Sequence, residues 1–285
     1  TMSEYASTRK GDLPEGVSTR GISAMLESNN TLRLYLGFNN VDPYGFTYSI
    51  DESTVELKKR SSDGAYYLEL FHGSTIAFKD MALQILPYLL TTSAKKIELN
   101  KKIVILVATS GDTGKAALEG FKDVPDTEIM VFYPDDGVSA MQKKQMTTQE
   151  GANVGVCAIK GNFDDAQTGV KKIFNDDEYA AKLQEIGVKL SSANSINIGR
   201  LVPQVAYYVY GYIKLVERGE IQNGDKINVV VPTGNFGNIL AAYYAGQMGI
   251  PVRKFICASN ENKVLTDFIN TGVYNINREF YLTNS

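Results

Sequence analysis

Residues 103–108 read IVILVA, a continuous apolar run in which β-branched side chains predominate. Such a run is typical of a strand that is buried on both faces, because a strand with one exposed face would alternate apolar with polar residues. After this run, strand-like and helix-like segments alternate as far as residue 258. The alternation predicts βαβ units, and therefore an α/β fold with a parallel sheet core and helices on both faces.

Periodicity and turn residues also predict the individual elements. The predicted strands cover residues 66–70, 103–108, 128–133, 153–159, 226–231 and 252–258. The predicted helices cover residues 79–90, 113–121, 139–148, 164–186, 198–218 and 238–248. Asn162 is placed to cap the helix at 164–186. Pro87 is expected to kink the first helix, because its ring crowds the carbonyl of Leu83.

The predicted domain boundary depends on where the regular pattern of strands and helices begins. Residues 1–65 mix short apolar pieces with turn residues and show no clean period, so we expect an N-terminal subdomain or flap. Residues 66–285 are expected to form the α/β region, in two lobes whose boundary the sequence leaves open. Ligands bind outside the carboxyl ends of the strands in such sheets, which directs attention to the turns that follow strands.

Composition excludes several classes of function. Lys and Arg number 29 against 32 Asp and Glu, for a net charge of −3, so no nucleic-acid partner is expected. No apolar run approaches the roughly 20 residues that span a bilayer. The opening residues, TMSEYASTRKGD, lack the apolar core of a signal peptide. Two cysteines without a CxxC pattern and a single histidine predict no metal site. These features together favour a cytoplasmic protein.

A lysine stands at the border of an apolar segment in the stretch FHGSTIAFKD, residues 71–80. Lys79 follows Ala77 and Phe78 and precedes a run of apolar residues. Partial desolvation would disfavour its charged form and free the amine as a nucleophile. The alternative is an ordinary lysine at a helix start, with its stem on the core and its head in water.

The turn after the IVILVA strand reads TSGDTG, residues 109–114. It offers hydroxyls, a carboxylate and two glycines, just before a helix whose free N–H groups suit an anion. A phosphate-binding P-loop is excluded, because Thr109 and Ala116 stand where that pattern needs a glycine and a Ser or Thr. The alternative is an ordinary strand-to-helix loop with capping residues.

Two further stretches can bind anions. Residues 232–238 read PTGNFGN between a strand and an alanine-rich helix, which has the geometry of a phosphate cradle without the GxGxxG dinucleotide fingerprint. Residues 191–200 read SSANSINIGR, and Arg200 can bind a phosphate or carboxylate in a bidentate manner. The alternative for Arg200 is a surface ion pair. A desolvated lysine with two anion-binding turns suggests a phosphorylated aldehyde cofactor held as a Schiff base, which describes pyridoxal 5′-phosphate.

Four motifs carry a resemblance to a known family. FHGSTIAFKD, ATSGDTGKAA, SSANSINIGR and PTGNFGNILAAYYA, in this order, closely resemble the threonine synthase family. Its members are pyridoxal-phosphate enzymes of the tryptophan-synthase-β fold type, or fold type II. The match runs from about Tyr66 to the end of the chain. The resemblance implies a lyase that converts O-phospho-L-homoserine and water into L-threonine and phosphate.

The resemblance also implies a role for each matched residue. Lys79 would hold the cofactor and shuttle protons, and Asp112 would lie near the 3′-oxygen of the cofactor. The residues expected to cradle the cofactor phosphate are Gly234, Asn235, Phe236, Gly237 and Asn238. The residues expected to hold the substrate carboxylate are Ser110, Gly111 and Thr113, together with Asp112. The residues expected to face the substrate phosphate are Ser195, Asn197 and Arg200.

The chain departs from the family at both ends. Residues 1–60 match poorly, and the chain stops where family members continue with a large C-terminal portion, so we expect it to be incomplete at the C-terminus. The partner of the pyridine nitrogen would then lie beyond residue 285. Other fold-type-II enzymes, such as threonine dehydratase or cysteine-synthase-like enzymes, and a non-catalytic relative that binds a phosphorylated small molecule remain alternatives. We expect a monomer or a homodimer.

Overall fold

The computed structural model describes residues 22–26, 31–36, 44–49, 55–59, 64–195, 197–232, 235–275, 277 and 281. The strands in these segments are β1 (Ile22–Leu26), β2 (Thr31–Leu36), β3 (Tyr44–Ser49), β4 (Glu56–Lys59), β5 (Tyr66–Glu69), β6 (Lys102–Ala108), β7 (Thr127–Pro134), β8 (Val154–Ile159), β9 (Val188–Ser192), β10 (Ile227–Pro232) and β11 (Val252–Ala258). The helices are α1 (Asp80–Leu83), α2 (Leu86–Lys96), α3 (Asp112–Phe121), α4 (Ala140–Thr147), α5 (Phe163–Phe174), α6 (Asp177–Glu185), α7 (Ile198–Glu217), α8 (Gly237–Gln247) and α9 (Val264–Thr271).

The chain divides into two units, one formed by residues 51–203 and the other by residues 1–50 with 204–285. The first unit is built on a sheet in the order β8-β7-β6-β9. Its neighbouring strands all run parallel. The IVILVA run lies in β6, between β7 and β9, so the turn after Ala108 opens at the carboxyl edge of the sheet.

Both faces of this sheet are covered by helices. On one face, Ile105 and Val107 of β6 are buried in a cluster with Leu118 of α3. On the other face, Leu106 packs in a second cluster with Val170 of α5. Each fully buried side chain of this size contributes about 1.5–3 kcal/mol to folding. The predicted α/β fold with a parallel sheet core and helices on both faces is therefore confirmed.

Two predicted helices are each broken into two. The segment 79–90 forms α1 and the start of α2, and Pro87 lies in the first turn of α2. The interruption at Gln84 and Ile85 falls directly before Pro87, where the sequence predicted a disturbance, and a proline in the first turn of α2 gives up only an N–H that has no partner within that helix. The segment 164–186 is divided between α5 and α6, since Asp176 accepts a hydrogen bond from the backbone N–H of Tyr179 and starts a new helix. The predicted cap at Asn162 is confirmed.

The sequence prediction assigned no strands before residue 66, where the structure has β1 to β4, and within residues 66–285 it missed two further elements. Strand β9 lies within the unit of residues 51–203 and pairs with the central strand β6. Helix α9 lies near the end of the chain and is closed by Gly272, whose φ of 74° is a left-handed value that glycine adopts without strain. The predicted domain boundary after residue 65 stays a prediction.

The second unit contains two small sheets. Strands β1, β2 and β3 pair antiparallel in that order. Strands β10 and β11 pair parallel, and α8 packs against both. None of the described helices combines the length and the apolarity that a membrane crossing requires.

Candidate active site

The FHGSTIAFKD stretch, residues 71–80, forms a tight loop that a buried carboxylate holds in place by hydrogen bonds. Asp80 is buried and accepts hydrogen bonds from the backbone N–H of Thr75 at 2.9 Å and from its hydroxyl at 2.5 Å. Gly73 lies against the same carboxylate, where a Cβ atom would come within 2.7 Å of Oδ2. Ile76 adopts a φ of 59°, a costly conformation for a β-branched residue. These constraints fix Lys79 at the residue before α1.

The amine of Lys79 is partly desolvated, as the apolar flanks predicted. Its Nζ atom lies 4.5 Å from the ring centroid of Phe78. Burial is the main reason that the pKa of Lys79 falls to about 8. The carboxylate of Asp112 raises this pKa, and the positive charges of Arg200 and Lys115 lower it. An amine in this state is populated in both its neutral and its charged form near neutral pH.

The TSGDTG turn is organised by the buried Thr109. Its hydroxyl oxygen accepts hydrogen bonds from the backbone N–H groups of Gly111 and Gly114, each at 2.9 Å. Gly111 adopts φ 137° and ψ −78°, which only glycine adopts freely. A Cβ atom at Gly111 would lie 2.4 Å from the side chain of Gln142. The backbone conformation therefore favours glycine at position 111, and an added Cβ atom would also displace the side chain of Gln142.

Replacing Gly111 by alanine is expected to lower the free energy of unfolding by about 1–3 kcal/mol from backbone strain alone, with a further loss from the contact with Gln142. The measurement is urea denaturation followed by circular dichroism. Gly169 is the matched control, because it lies on the exposed side of α5 with nothing within 4 Å of an added Cβ. Gly169→Ala is expected to leave stability unchanged or to raise it. Equal stabilities for both variants would contradict the role of Gly111.

Asp112 opens α3 and is held by two side chains. Its Oδ1 atom accepts a hydrogen bond from Nε2 of Gln142 at 2.8 Å and lies 3.2 Å from Nζ of Lys115. Burial raises the pKa of Asp112, but the hydrogen bond from Gln142 and the charges of Lys79 and Lys115 outweigh it and hold the pKa below its usual value. Asp112 is therefore ionised throughout the neutral range.

Gln142 is a site residue that the sequence prediction missed. With Ser139 it forms a capping box at the start of α4, in which each side chain accepts a hydrogen bond from the other residue's backbone N–H. The pattern Ser-x-x-Gln predicts that cap. It does not reveal that the same amide also contacts Asp112, which lies 30 residues earlier.

The SSANSINIGR stretch, residues 191–200, is joined to β6 by hydrogen bonds of Asn194. Its Nδ2 donates to the carbonyl of Ala108 at 2.8 Å, and its Oδ1 accepts from the N–H of Ala108 at 3.3 Å. Asn197 contacts its own backbone neighbours, donating to the carbonyl of Ser192 at 2.7 Å and accepting from the N–H of Gly199 at 2.9 Å. Both amides thus position the segment that leads into α7.

Arg200 is buried, with 4% of its surface exposed, which excludes the surface ion pair considered as an alternative. Its Nη1 donates to the carbonyl of Ala193 at 3.0 Å. Its Nη2 donates to the hydroxyl of Thr113 at 3.5 Å. Because β6 and β9 are neighbours, the first turn of α7 meets the TSGDTG turn at the carboxyl edge of the sheet.

The described structure therefore brings together Lys79, Asp112, Thr113 and Arg200, and it adds Lys115 and Gln142 to them. Gly111 is buried at the start of α3, whereas Ser110 and Ser195 are exposed. The roles that the resemblance implies for these residues stay predictions.

The PTGNFGN turn belongs to the other unit, and Gly234 lies outside the described residues. Phe236 precedes α8, and among the described residues no side chain caps this helix start. Asn238, in its first turn, accepts hydrogen bonds from the hydroxyls of Tyr207 and Tyr208. Burial raises the pKa of Tyr208, so its hydroxyl keeps its proton and remains a donor. The meeting of this turn with Lys79 stays a prediction.

His72 lies in the FHGSTIAFKD stretch, but its contacts are outside the cluster around Lys79. Its Nε2 is 2.8 Å from Oε2 of Glu69, and Nζ of Lys58 is 2.9 Å from the same oxygen. Lys58 also pairs with Glu56 at 3.1 Å. The ligand atoms of His72, Glu56 and Glu69 lie within 4.8 Å of one another, but the ammonium of Lys58 already pairs with both carboxylates.

The charges of the cluster suit an anionic ligand. Around the amine of Lys79, the groups that act on its titration are the cations Arg200 and Lys115 and the carboxylate of Asp112. An aldehyde cofactor requires an amine that is neutral in part, and a phosphorylated one requires positive charge nearby. The described residues therefore fit pyridoxal phosphate.

A parallel α/β sheet, with a desolvated lysine beside a cationic cluster near its carboxyl edge, is compatible with the class of enzymes that bind an aldehyde cofactor through a lysine. The chain belongs to the family described as pyridoxal-phosphate dependent enzyme, whose profile matches residues 56–279. The predicted cofactor, pyridoxal 5′-phosphate, is thereby confirmed.

Individual relatives are threonine synthases and proteins similar to them. Threonine synthase-like 1 of Homo sapiens is 49% identical over 230 residues, which make up 79% of this chain and 31% of that protein. Threonine synthase of Schizosaccharomyces pombe is 41% identical over 222 residues, or 76% of this chain and 42% of that protein. The crystal structure of PLP-bound threonine synthase from Brucella melitensis matches with a TM-score of 0.70 and 38% identity, over 81% of this chain and 47% of that one.

The resemblance to threonine synthase that the motifs indicated is confirmed by these matches. The chain spans less than half the length of each of these relatives.

Proposed function

We propose that this chain carries the reaction site of a threonine synthase, a carbon–oxygen lyase that converts O-phospho-L-homoserine and water into L-threonine and phosphate. The observation that carries the proposal is the buried guanidinium of Arg200 in the same cluster as the desolvated amine of Lys79. A substrate with a phosphate needs such a second anion-binding group. Threonine dehydratase and cysteine-synthase-like enzymes act on substrates without that phosphate, so their reactions do not call for this second anion-binding group.

Each ligand group has a proposed partner. The cofactor supplies an electron sink for the substrate carbon atoms when it is bound. Asp112 is proposed to lie near its 3′-oxygen, and the cofactor phosphate is assigned to residues 234–238 at the start of α8. The substrate carboxylate is assigned to the TSGDTG turn. The substrate phosphate is assigned to Arg200, with Ser195 and Asn197 on the same segment.

Lys79 is the proposed acid and base. Its Nζ atom has to take protons from the substrate and return them at successive steps, and a group does this best when its pKa lies near the working pH. The pKa of about 8 meets that requirement. Burial, which produces this pKa, also limits the access of water to the amine. Gln142 and Lys115 would keep Asp112 charged and in place while these transfers proceed.

The proposal predicts a defined pair of products. With pyridoxal phosphate bound, the chain is expected to release threonine and phosphate in equal amounts from O-phospho-L-homoserine, as measured by chromatography and a phosphate assay. It is expected to leave added threonine intact. Formation of a 2-oxo acid from threonine would instead identify a dehydratase. Bound cofactor with no product from either compound would identify a non-catalytic relative.

The cellular setting belongs to the same proposal. Neither Cys157, which is exposed, nor Cys257, which is half-buried, forms a disulfide, which is compatible with a reducing compartment such as the cytoplasm. A cytoplasmic location and a monomeric or homodimeric state stay predictions. Light scattering and localisation of a tagged chain are the measurements that check them.

A further inference from the structure

Lys115 is a buried lysine to which the motifs assign no reaction step. It lies in the first turn of α3, and only 9% of its side chain is exposed. Burying an ammonium group is costly unless the group is paired. Its Nζ lies 3.2 Å from Oδ1 of Asp112, the same oxygen that accepts the hydrogen bond from Gln142. The buried ammonium is therefore directed at a residue of the proposed site.

The charged groups that face the Lys79 amine come from three elements. Helix α3, which packs against the α1 helix that Lys79 precedes, contributes Asp112 and Lys115, and the first turn of α7, where Arg200 contacts Thr113 of α3, contributes Arg200. Asp80, on the helix that Lys79 precedes, is already bound by the N–H and the hydroxyl of Thr75. The equilibrium between the neutral and the charged form of the Lys79 amine thus depends on two cations, Arg200 and Lys115, and on the Asp112 carboxylate, which pairs with Lys115.

We propose that Lys115 is a positioning residue for Lys79, which it serves by holding the Asp112 carboxylate and by adding a like charge beside the amine. The proposal rests on the proposed function only in that Lys79 is the reacting amine. Without the Lys115 ammonium, the hydrogen bond from Gln142 still keeps the Asp112 carboxylate in place, a charge that repels the Lys79 ammonium is lost, and the carboxylate is no longer shared with a second cation. Both changes favour the ammonium form of Lys79.

The signs of the nearby charges give the direction in which the titration midpoint of Lys79 is expected to move. Lys79 loses its proton with a pKa of about 8, so its neutral, reactive form grows as pH rises through this value. In a variant without the Lys115 charge, the titration midpoint moves to higher pH. At pH 7 the neutral fraction, and with it the reactivity towards an electrophile, falls by the same factor by which the equilibrium constant changes.

The test measures the Lys79 amine directly, in the full chain before pyridoxal phosphate is added. Trace acetylation with acetic anhydride at a series of pH values, read by mass spectrometry of the peptide that contains Lys79, gives the midpoint. Lys115→Met removes the charge, Lys115→Gln removes it but can still donate a hydrogen bond to Asp112, and Lys115→Arg keeps it. Lys143→Met is the matched control, because Lys143 forms an exposed ion pair with Asp135.

The expected result is a midpoint that rises in Lys115→Met and Lys115→Gln and that stays at the wild-type value in Lys115→Arg and Lys143→Met. An unchanged midpoint in folded Lys115→Gln would overturn the proposal. Loss of the folded state in both charge-removing variants would also overturn it, and would leave Lys115 a stabilising residue only. Because acetylation needs neither cofactor nor turnover, a failure here is distinguishable from a failure of the proposed lyase reaction.

Discussion

Lys79→Ala is expected to abolish both the covalent attachment of pyridoxal phosphate and the turnover of O-phospho-L-homoserine. Removal of the amine takes away the bond to the cofactor and the proton-transferring group at once, and the latter alone is worth about 100-fold to 10,000-fold in rate. The absorbance band of the lysine-bound cofactor and the release of phosphate measure the two effects.

The fold is expected to survive this substitution. Lys79 has φ −65° and ψ −23°, which alanine adopts readily, and its side chain makes no capping hydrogen bond to α1. Circular dichroism checks the fold, and Lys143→Ala provides a lysine with a partly exposed side chain as the control. Turnover at a similar rate in Lys79→Ala would remove Lys79 from the mechanism.

Arg200→Lys is expected to weaken the binding of O-phospho-L-homoserine while leaving cofactor affinity nearly unchanged. Lysine keeps the charge but cannot present two N–H groups in a planar fork, as Arg200 does towards Ala193 and Thr113. Losing one charge-assisted contact costs about 1.5–3 kcal/mol, which is roughly one to two orders of magnitude in affinity. Equilibrium titrations of substrate and of cofactor measure the two affinities separately.

The pair of results decides which phosphate Arg200 serves. Loss of cofactor affinity instead of substrate affinity would show that the two phosphate sites have been exchanged in the proposal. No change in either affinity would assign Arg200 a purely structural role within its segment. Arg253→Lys is the matched control, since Arg253 is an exposed arginine on β11.

Much of the fold can be predicted from local pattern. The IVILVA run carries its own signal, since four of its six residues are β-branched and the run lacks polar interruptions. Strand β9 carries no such signal, because its sequence VKLSS offers only two apolar residues. Its place in the sheet comes from pairing with β6, which no window of sequence reveals. The break between α5 and α6 is marked only by Asp176, a cap that the apolar periodicity masked.

In the candidate site, too, features with a local sequence signal could be predicted, and features that depend on contacts between distant residues could not. The desolvation of Lys79 could be predicted, because its apolar neighbours adjoin it in the chain. The burial of Arg200 could not, since it depends on the packing of α7 near the TSGDTG turn. The contact of Gln142 with Asp112 likewise joins the starts of two helices. The burial of Lys115 also depends on the packing around α3 and has no local signal in the sequence.

The pairing of β6 with β9 joins distant parts of the chain. Asn194 contacts Ala108 across 86 residues, and Arg200 contacts Thr113 across 87. During synthesis, the lysine and the TSGDTG turn leave the ribosome well before the residues that complete their surroundings. A growing chain that has not yet reached β9 carries the amine of Lys79 without its arginine. Because a ligand that binds only the complete site stabilises that state alone, pyridoxal phosphate is expected to favour chains in which β9 has joined the sheet.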